Sequence, residues 1–225
     1  MPSAERGAEL LVVRHGHSLA NAAFHAAEQT GEAVDLGCRD ADVALSPAGR
    51  EQSAALGRWL RDQPPPEVVH CSPYLRARQT WQIAADELPA PPQPLLDERL
   101  RDRAMGQFEL LTPAVILSRY PDEARRRAST GEFSYRAPGG ESLADVVVRV
   151  RSFLRDIDPT RRTLVIAHDA VVLALLHITE SASEEDLRRV APVANASVSR
   201  WAAPAGALRL VSYNDVHHLP TDPLD

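Results

Sequence analysis

Two short apolar runs, residues 10–13 (Leu-Leu-Val-Val) and 164–167 (Leu-Val-Ile-Ala), each give way abruptly to a histidine: His15 behind Arg14 in the first, His168 in the second. Runs this short and this rich in β-branched residues read as strands buried on both faces. Between them the pattern alternates. Ser46 and Pro47 open a helical repeat carried by Leu56, Trp59 and Leu60 to a proline stop at 64–66; Val68 and Val69 give a strand; Ser72 and Pro73 open a helix over 75–87 that ends at the proline-rich stretch 89–94. Glu141 and Ser142 then precede an amphipathic stripe of Leu143, Val146, Val147, Val150, Leu154 and Ile157, with Asp145 placed as the capping partner of Ser142. An apolar helical run over 171–176 follows His168. Strand and helix in alternation predict a three-layer α/β/α sandwich around a mainly parallel sheet, and such sheets hold ligands beyond the carboxyl ends of their strands. Both histidines stand at such ends.

Composition narrows the chemistry. The formal charge of -6 argues against a nucleic-acid-binding surface, which needs a broad field of cations, so any anion site must be local. All 25 basic residues are arginine, which removes Schiff-base and P-loop lysines from consideration. Cys38 and Cys71 make no disulfide framework and suit a reducing, cytoplasmic setting. Residues 1–9 lack the apolar run of a signal peptide, and no stretch reaches the roughly 18 apolar residues of a membrane span, so no membrane association is expected. His217 and His218 near the end have no further ligand spacing to suggest a metal. Residues 1–225 read as a single domain. Its least periodic part, around 103–140, holds a helix over 113–120, the Arg125, Arg126, Arg127 run and a Pro138-Gly139-Gly140 turn, and reads as an insertion covering the site. The arginine run is expected to be a solvated helix face rather than a second anion site.

The chemistry-bearing residues fall in ordered blocks. Arg14, His15 and Gly16 are followed by Ser18 and Asn21; then come Leu45, Ser46, Pro47, Gly49 and Gln52; then the unbroken run Cys71, Ser72, Pro73, Tyr74, Leu75, Arg76, Ala77, Arg78, Gln79, Thr80. Leu100, Arg101 and Asp102 follow, with Gly106 four residues beyond, then Gly139, Gly140, Glu141, Ser142, and finally His168, Asn195 and Ser197. In this order the blocks resemble the signatures of the histidine phosphatase superfamily, which contains the cofactor-dependent phosphoglycerate mutases and many phosphatases. The resemblance covers nearly the whole chain and implies a phosphoglycerate mutase-like fold.

Residue chemistry and resemblance agree on roles. Phosphoryl transfer needs a nucleophile, a tight grip on the phosphoryl oxygens and little else. A neutral imidazole is nucleophilic through one nitrogen when the other is held by a hydrogen bond, which suits His15, and neighbouring arginines keep such a ring neutral. Arg14 and Arg76 are the expected phosphate clamp. The resemblance makes His168 the second catalytic histidine and gives Asp102 the place of the general acid, with Glu98 and Glu109 as nearby substitutes. Asn21 is expected to touch phosphate, whereas Ser18 either donates to it or caps the following helix. Two positions depart from the pattern: His17 replaces a usual Glu or Gln, and Asp169 a usual Gly. The Asp169 amide can still contact phosphate, but its carboxylate must turn away from a dianion or pair with an arginine.

The expected activity is hydrolysis of a small phosphate monoester through a phosphohistidine on His15, without metal or other cofactor. The expected partner is a small phosphorylated metabolite, with a homodimer left open. A mutase-type phosphotransferase and a non-catalytic phospholigand-binding domain are the alternatives.

Overall fold

The computed structural model describes residues 9–30, 34, 36–203 and 207–220; the reading of residues 1–8 as leader-free lies outside them. The first strand, β1 (Glu9–Arg14), sits near the middle of a six-stranded sheet. Across the sheet the order is β3 (Leu95–Leu96), β2 (Val68–Cys71), β4 (Thr163–Ala167), β1, β5 (Val198–Ala202) and β6 (Arg209–Asp215). The β3, β2, β4 and β1 pairings are parallel, and β5 runs antiparallel to both its neighbours. The expected α/β/α sandwich is therefore present, with a mostly parallel sheet.

Alternation along the strands explains the three layers. Leu10 and Val12 join Val165 and Ala167 in a core under α6 (Leu143–Asp156) and α7 (Asp169–Glu180), whereas Leu11 and Val13 join Leu164 and Ile166 in a core with α2 (Pro47–Arg61) and α3 (Leu75–Ala85). A strand buried on both faces has no polar alternation to show, which is why these runs read as continuously apolar. The helix signals hold as well. Ser46 accepts from the Gly49 amide with Pro47 at the first helical position, and Ser142 with Asp145 forms a complete capping box.

The region over 103–140 carries two helices, α4 (Pro113–Arg119) and α5 (Pro121–Thr130), above a small cluster of Phe108, Ile116, Tyr135 and Ala137. Two further helices, α1 (Leu19–Thr30) and α8 (Glu184–Arg189), flank the carboxyl end of the sheet. Among the described residues, no helix is long and apolar enough to cross a membrane.

Candidate active site

Parallel pairing of β1 with β4 puts Arg14 opposite Ala167, so the residues that follow, His15 and His168, emerge side by side. Their ring centroids lie 5.1 Å apart. Both rings are buried. Two residues separated by most of the chain thus share one recess.

The His15 ring is fixed in one tautomer. Its Nδ1 lies 2.8 Å from the Gly16 carbonyl oxygen, an acceptor only, so the proton sits on Nδ1 and the lone pair on Nε2. Arg76 donates its Nε to that lone pair at 3.2 Å. Burial, then Arg76, His168 and Arg14 in that order, hold the imidazole well below its usual pKa, with the Gly16 bond pulling weakly the other way. His15 is thus held neutral, with its lone pair on Nε2.

The motifs around His15 are packing devices. Thr80 accepts from the Gly16 amide and donates to the Arg76 carbonyl, tying the turn that carries His15 to α3. Gln52 accepts from the His17 amide, and Ser46 contacts both the His17 carbonyl and its Nδ1. A Cβ on Gly49 would come 1.9 Å from the His17 carbonyl oxygen, so only glycine lets α2 approach this closely. Gln79 accepts from the Leu45 amide, joining α3 to the same loop. His17, half-buried, is thus part of the loop's scaffold.

Opposite His15, Ser72 Oγ lies 2.8 Å from His168 Nε2 and accepts from the Tyr74 amide. A hydroxyl that already accepts there is set to donate to Nε2, which leaves the His168 proton on Nδ1. That nitrogen lies 3.2 Å from Asp102 Oδ2 but makes no aligned hydrogen bond. Burial pushes the His168 pKa down, and Asp102 opposes it. For Asp102 burial pushes upward, but His168 and Arg76 outweigh it and hold the carboxyl well below the usual carboxylate range. Tyr74 packs edge-on to His168 and under the Arg76 guanidinium, and burial keeps its phenol protonated, raised to about 12.

Arg76 is the hub. Its guanidinium meets Asp40 through both terminal nitrogens, at 2.9 and 3.1 Å, and Asp102 at 2.9 Å. Arg14 donates one terminal nitrogen to the Val193 carbonyl, while its buried Nε has no partner. Among the described residues the recess therefore holds a buried Arg14 Nε without a partner and a His168 Nδ1 set 3.2 Å from Asp102, beside a guanidinium engaged by carboxylates. Each is a donor suited to an oxyanion.

His15, Asp102 and His168 also lie close enough to offer one ligand atom each to a metal ion. Here the His15 lone pair already faces the Arg76 guanidinium, and a cation would have to displace that charge. The donor set fits an anion better.

The remaining sequence candidates divide. Ser18 caps α1: its hydroxyl accepts from the Asn21 amide and donates to Asn21 Oδ1, which also accepts from the Ser18 amide and from Asn195. Asn21 spends its carbonyl on that network and has its NH₂ group left as the donor for a ligand. Asp169 accepts from the Ala170 amide at 2.7 Å and makes no ion pair with an arginine among the described residues. Glu98 is exposed on a 3-10 turn away from the imidazoles, and Glu109 accepts from the Asp40 amide, so Asp102 is the carboxylate beside them. His217 bonds Asp215 and His218 bonds the Ala196 carbonyl, which leaves the pair in local packing.

Residues 10–216 match the family model described as histidine phosphatase superfamily, branch 1. The chain belongs to the histidine phosphatase superfamily. It is 32% identical over 168 residues to a 6-phosphofructo-2-kinase/fructose-2,6-bisphosphatase of Caenorhabditis elegans, a match covering 74% of this chain but only 33% of the relative. It is 31% identical over 182 residues to a 2,3-bisphosphoglycerate-dependent phosphoglycerate mutase of Methylobacterium radiotolerans, covering 78% of this chain and 80% of that one. Among solved structures, Bacillus stearothermophilus YhfR superposes with a TM-score of 0.78 at 21% identity over 94% of this chain and 99% of its own. The mycobacterial glucosyl-3-phosphoglycerate phosphatase gives 0.75 at 24% identity, over 94% and 100%. At such identities these two establish the fold.

Three residues of this histidine phosphatase site had no assigned role in the sequence. Ser72 and Tyr74 lie inside the block that carries Arg76, and their part emerges only when β4 delivers His168 beside them. Asp40 carried no signal at all, because a single carboxylate in a polar loop is indistinguishable from a solvated one until its partner is known.

Proposed function

We propose that this chain is a phosphohydrolase that transfers the phosphoryl group of a monoester to His15 Nε2 and then to water. The observation that carries the proposal is the fixed tautomer of His15, neutral, with its Nε2 lone pair facing Arg76 in a recess shared with the unpartnered Nε of Arg14 and the His168 ring. Those are the requirements for in-line attack at phosphorus with the equatorial oxygens compensated. In the first step the Nε2 lone pair forms the N–P bond as the ester P–O bond breaks. Arg14, Arg76, His168 and the Asn21 amide hold the phosphoryl oxygens, as does the Asp169 backbone amide at the start of α7. In the second step water attacks phosphorus and passes a proton to the Asp102 carboxylate left by the first step, and His15 Nε2 leaves.

The departing oxygen needs a proton, and Asp102 is its source in this scheme. While Asp102 bonds Arg76 it is ionised and cannot serve. A phosphoryl dianion that takes over Arg76 removes a cation from Asp102 and adds an anion beside it, and both changes raise its pKa. The acid is thus made by substrate binding, and Ser18 serves only to cap α1.

The test is phosphate release from p-nitrophenyl phosphate, with acid-labile, base-stable phosphoenzyme trapped from wild type and sought in His15→Ala. Retained turnover in a folded His15→Ala protein would remove the proposed nucleophile. Similarity to phosphoglycerate mutases over most of both chains favours a second reading, phosphotransfer back to substrate. Conversion of 3-phosphoglycerate in the presence of 2,3-bisphosphoglycerate, outpacing phosphate release, would establish it.

A further inference from the structure

Beyond the paired imidazoles the recess opens into a cleft of about 960 Å³, bounded by α1, the 103–140 region and α8. That lies at the upper end of the roughly 300–1,000 Å³ of pockets that enclose drug-sized ligands. Its apolar wall includes Phe24, Met105, Phe108, Leu111, Leu173 and Leu187.

The charges on the wall decide what that volume suits. Four arginines line it against six carboxylates. Arg39 pairs with Asp42 and Arg188 with Glu184, while Arg103 and Arg127 share Glu132. Arg103 also donates to the carbonyls of Tyr135 and Glu141. Asp40 and Asp102 are taken up by Arg76. Asp169 and Glu109 remain, and neither forms an ion pair among the described residues. Among the described residues the wall outside the phosphoryl recess therefore carries two carboxylates without an ion pair, and each of its cations is already engaged by a carboxylate, two of them by the same one.

Resting on the phosphohydrolase reading, we infer that the substrates are monoesters of bulky, uncharged, largely apolar alcohols, and that Asp169 and Glu109 reject esters whose leaving group carries a second anion. A second carboxylate or phosphate in this cleft would meet like charge in a partly desolvated space, and would have to compete with carboxylates already on the wall guanidiniums. An aromatic or aliphatic group would instead cover the half-buried Phe24, Met105 and Leu173, each buried CH₂ contributing about 0.8 kcal/mol. Selection of this kind works by a repulsive element as well as an attractive one.

Benzyl phosphate and 3-phosphoglycerate test the inference, because both leave as alkyl alcohols and differ in the group the cleft must accept. Their binding to the His15→Ala variant is measured by calorimetry, which reads the cleft's preference without turnover. Benzyl phosphate is expected to bind at least about tenfold more tightly, the scale of one like-charge contact at a half-buried site. In His15→Ala carrying also Asp169→Asn and Glu109→Gln, the gap should narrow several-fold through tighter binding of 3-phosphoglycerate. Equal affinities, no binding of either ester, a preference for 3-phosphoglycerate, or a gap unmoved by the two neutralisations would overturn the inference. Turnover by wild type is scored separately: its absence counts against the phosphohydrolase reading and leaves the binding preference standing.

Discussion

Asp40 sits on Arg76, the guanidinium proposed to hold the phosphoryl group, and this makes Asp40→Asn an informative substitution. The carboxylate meets the guanidinium through two hydrogen bonds of 2.9 and 3.1 Å, and its side chain is 22% exposed. A unit-charge pair at about 4 Å is worth roughly 4 kcal/mol at an effective dielectric near 20. Partial exposure reduces that, and the asparagine oxygen still accepts one neutral hydrogen bond. A net of about 1–2 kcal/mol is then removed from what phosphate must displace, or roughly 5- to 30-fold in affinity. Inorganic phosphate should accordingly bind Asp40→Asn more tightly by about tenfold, read by calorimetry and by the phosphate-dependent rise in Tm. Asp42→Asn is the control: it makes the same change in net charge at an exposed residue that bonds only Arg39. A phosphate Kd in Asp40→Asn within about twofold of wild type, or weaker, would refute the view that this carboxylate competes for Arg76.

Arg76→Ala removes the hub, and kcat/KM for p-nitrophenyl phosphate should fall by at least about 100-fold, the cost of a lost preorganised oxyanion donor. The depressed pKa of His15 places the acid limb of kcat/KM below the ordinary histidine value of about 6.5, because activity is lost only as pH falls through the depressed value of the folded protein. Stability follows the same sign: the unfolded chain binds protons at His15 and His168 first, so urea resistance is full above about pH 6.5 and declines below it. An acid limb at or above 6.5, or stability rising as pH falls from 7 to 5.5, would contradict this. Gly49→Ala sets a methyl group against the His17 carbonyl and should lower Tm and activity together, whereas Gly37→Ala, with open space around it, should leave activity intact although its left-handed backbone costs some stability.

What the sequence made legible depended on whether the information was local. The capping box at Ser142, the proline at the start of α2 and the doubly buried strands are local, and each stands where the pattern placed it. The two-residue strand β3 and the short helix α8 carry too few residues for a period and were not foreseen. Of the arginine run of α5, Arg125 and Arg126 are exposed and pair with Asp122 and Glu123 as a solvated face should, whereas Arg127 is half-buried, pairs with Glu132 and lines the cleft. In the site, residue type and order pointed to His15, Arg76, His168 and Asp102, which the structure brings together. Asp40 and Ser72 were opaque because their chemistry depends on partners from other strands and loops.

The oldest strand in the chain is completed by the youngest. β1 is made first, yet both of its neighbours, β4 and β5, come from the final third of the sequence, and the His15 carbonyl is held by Asn195 and the Ala196 amide. Until synthesis has passed residue 202, β1 has a bare hydrogen-bonding edge and the His15 backbone is not yet held. Such long-range pairing slows folding and leaves partial chains open to association. Cleavage near Pro192 should therefore silence the protein while sparing every residue of its phosphoryl recess.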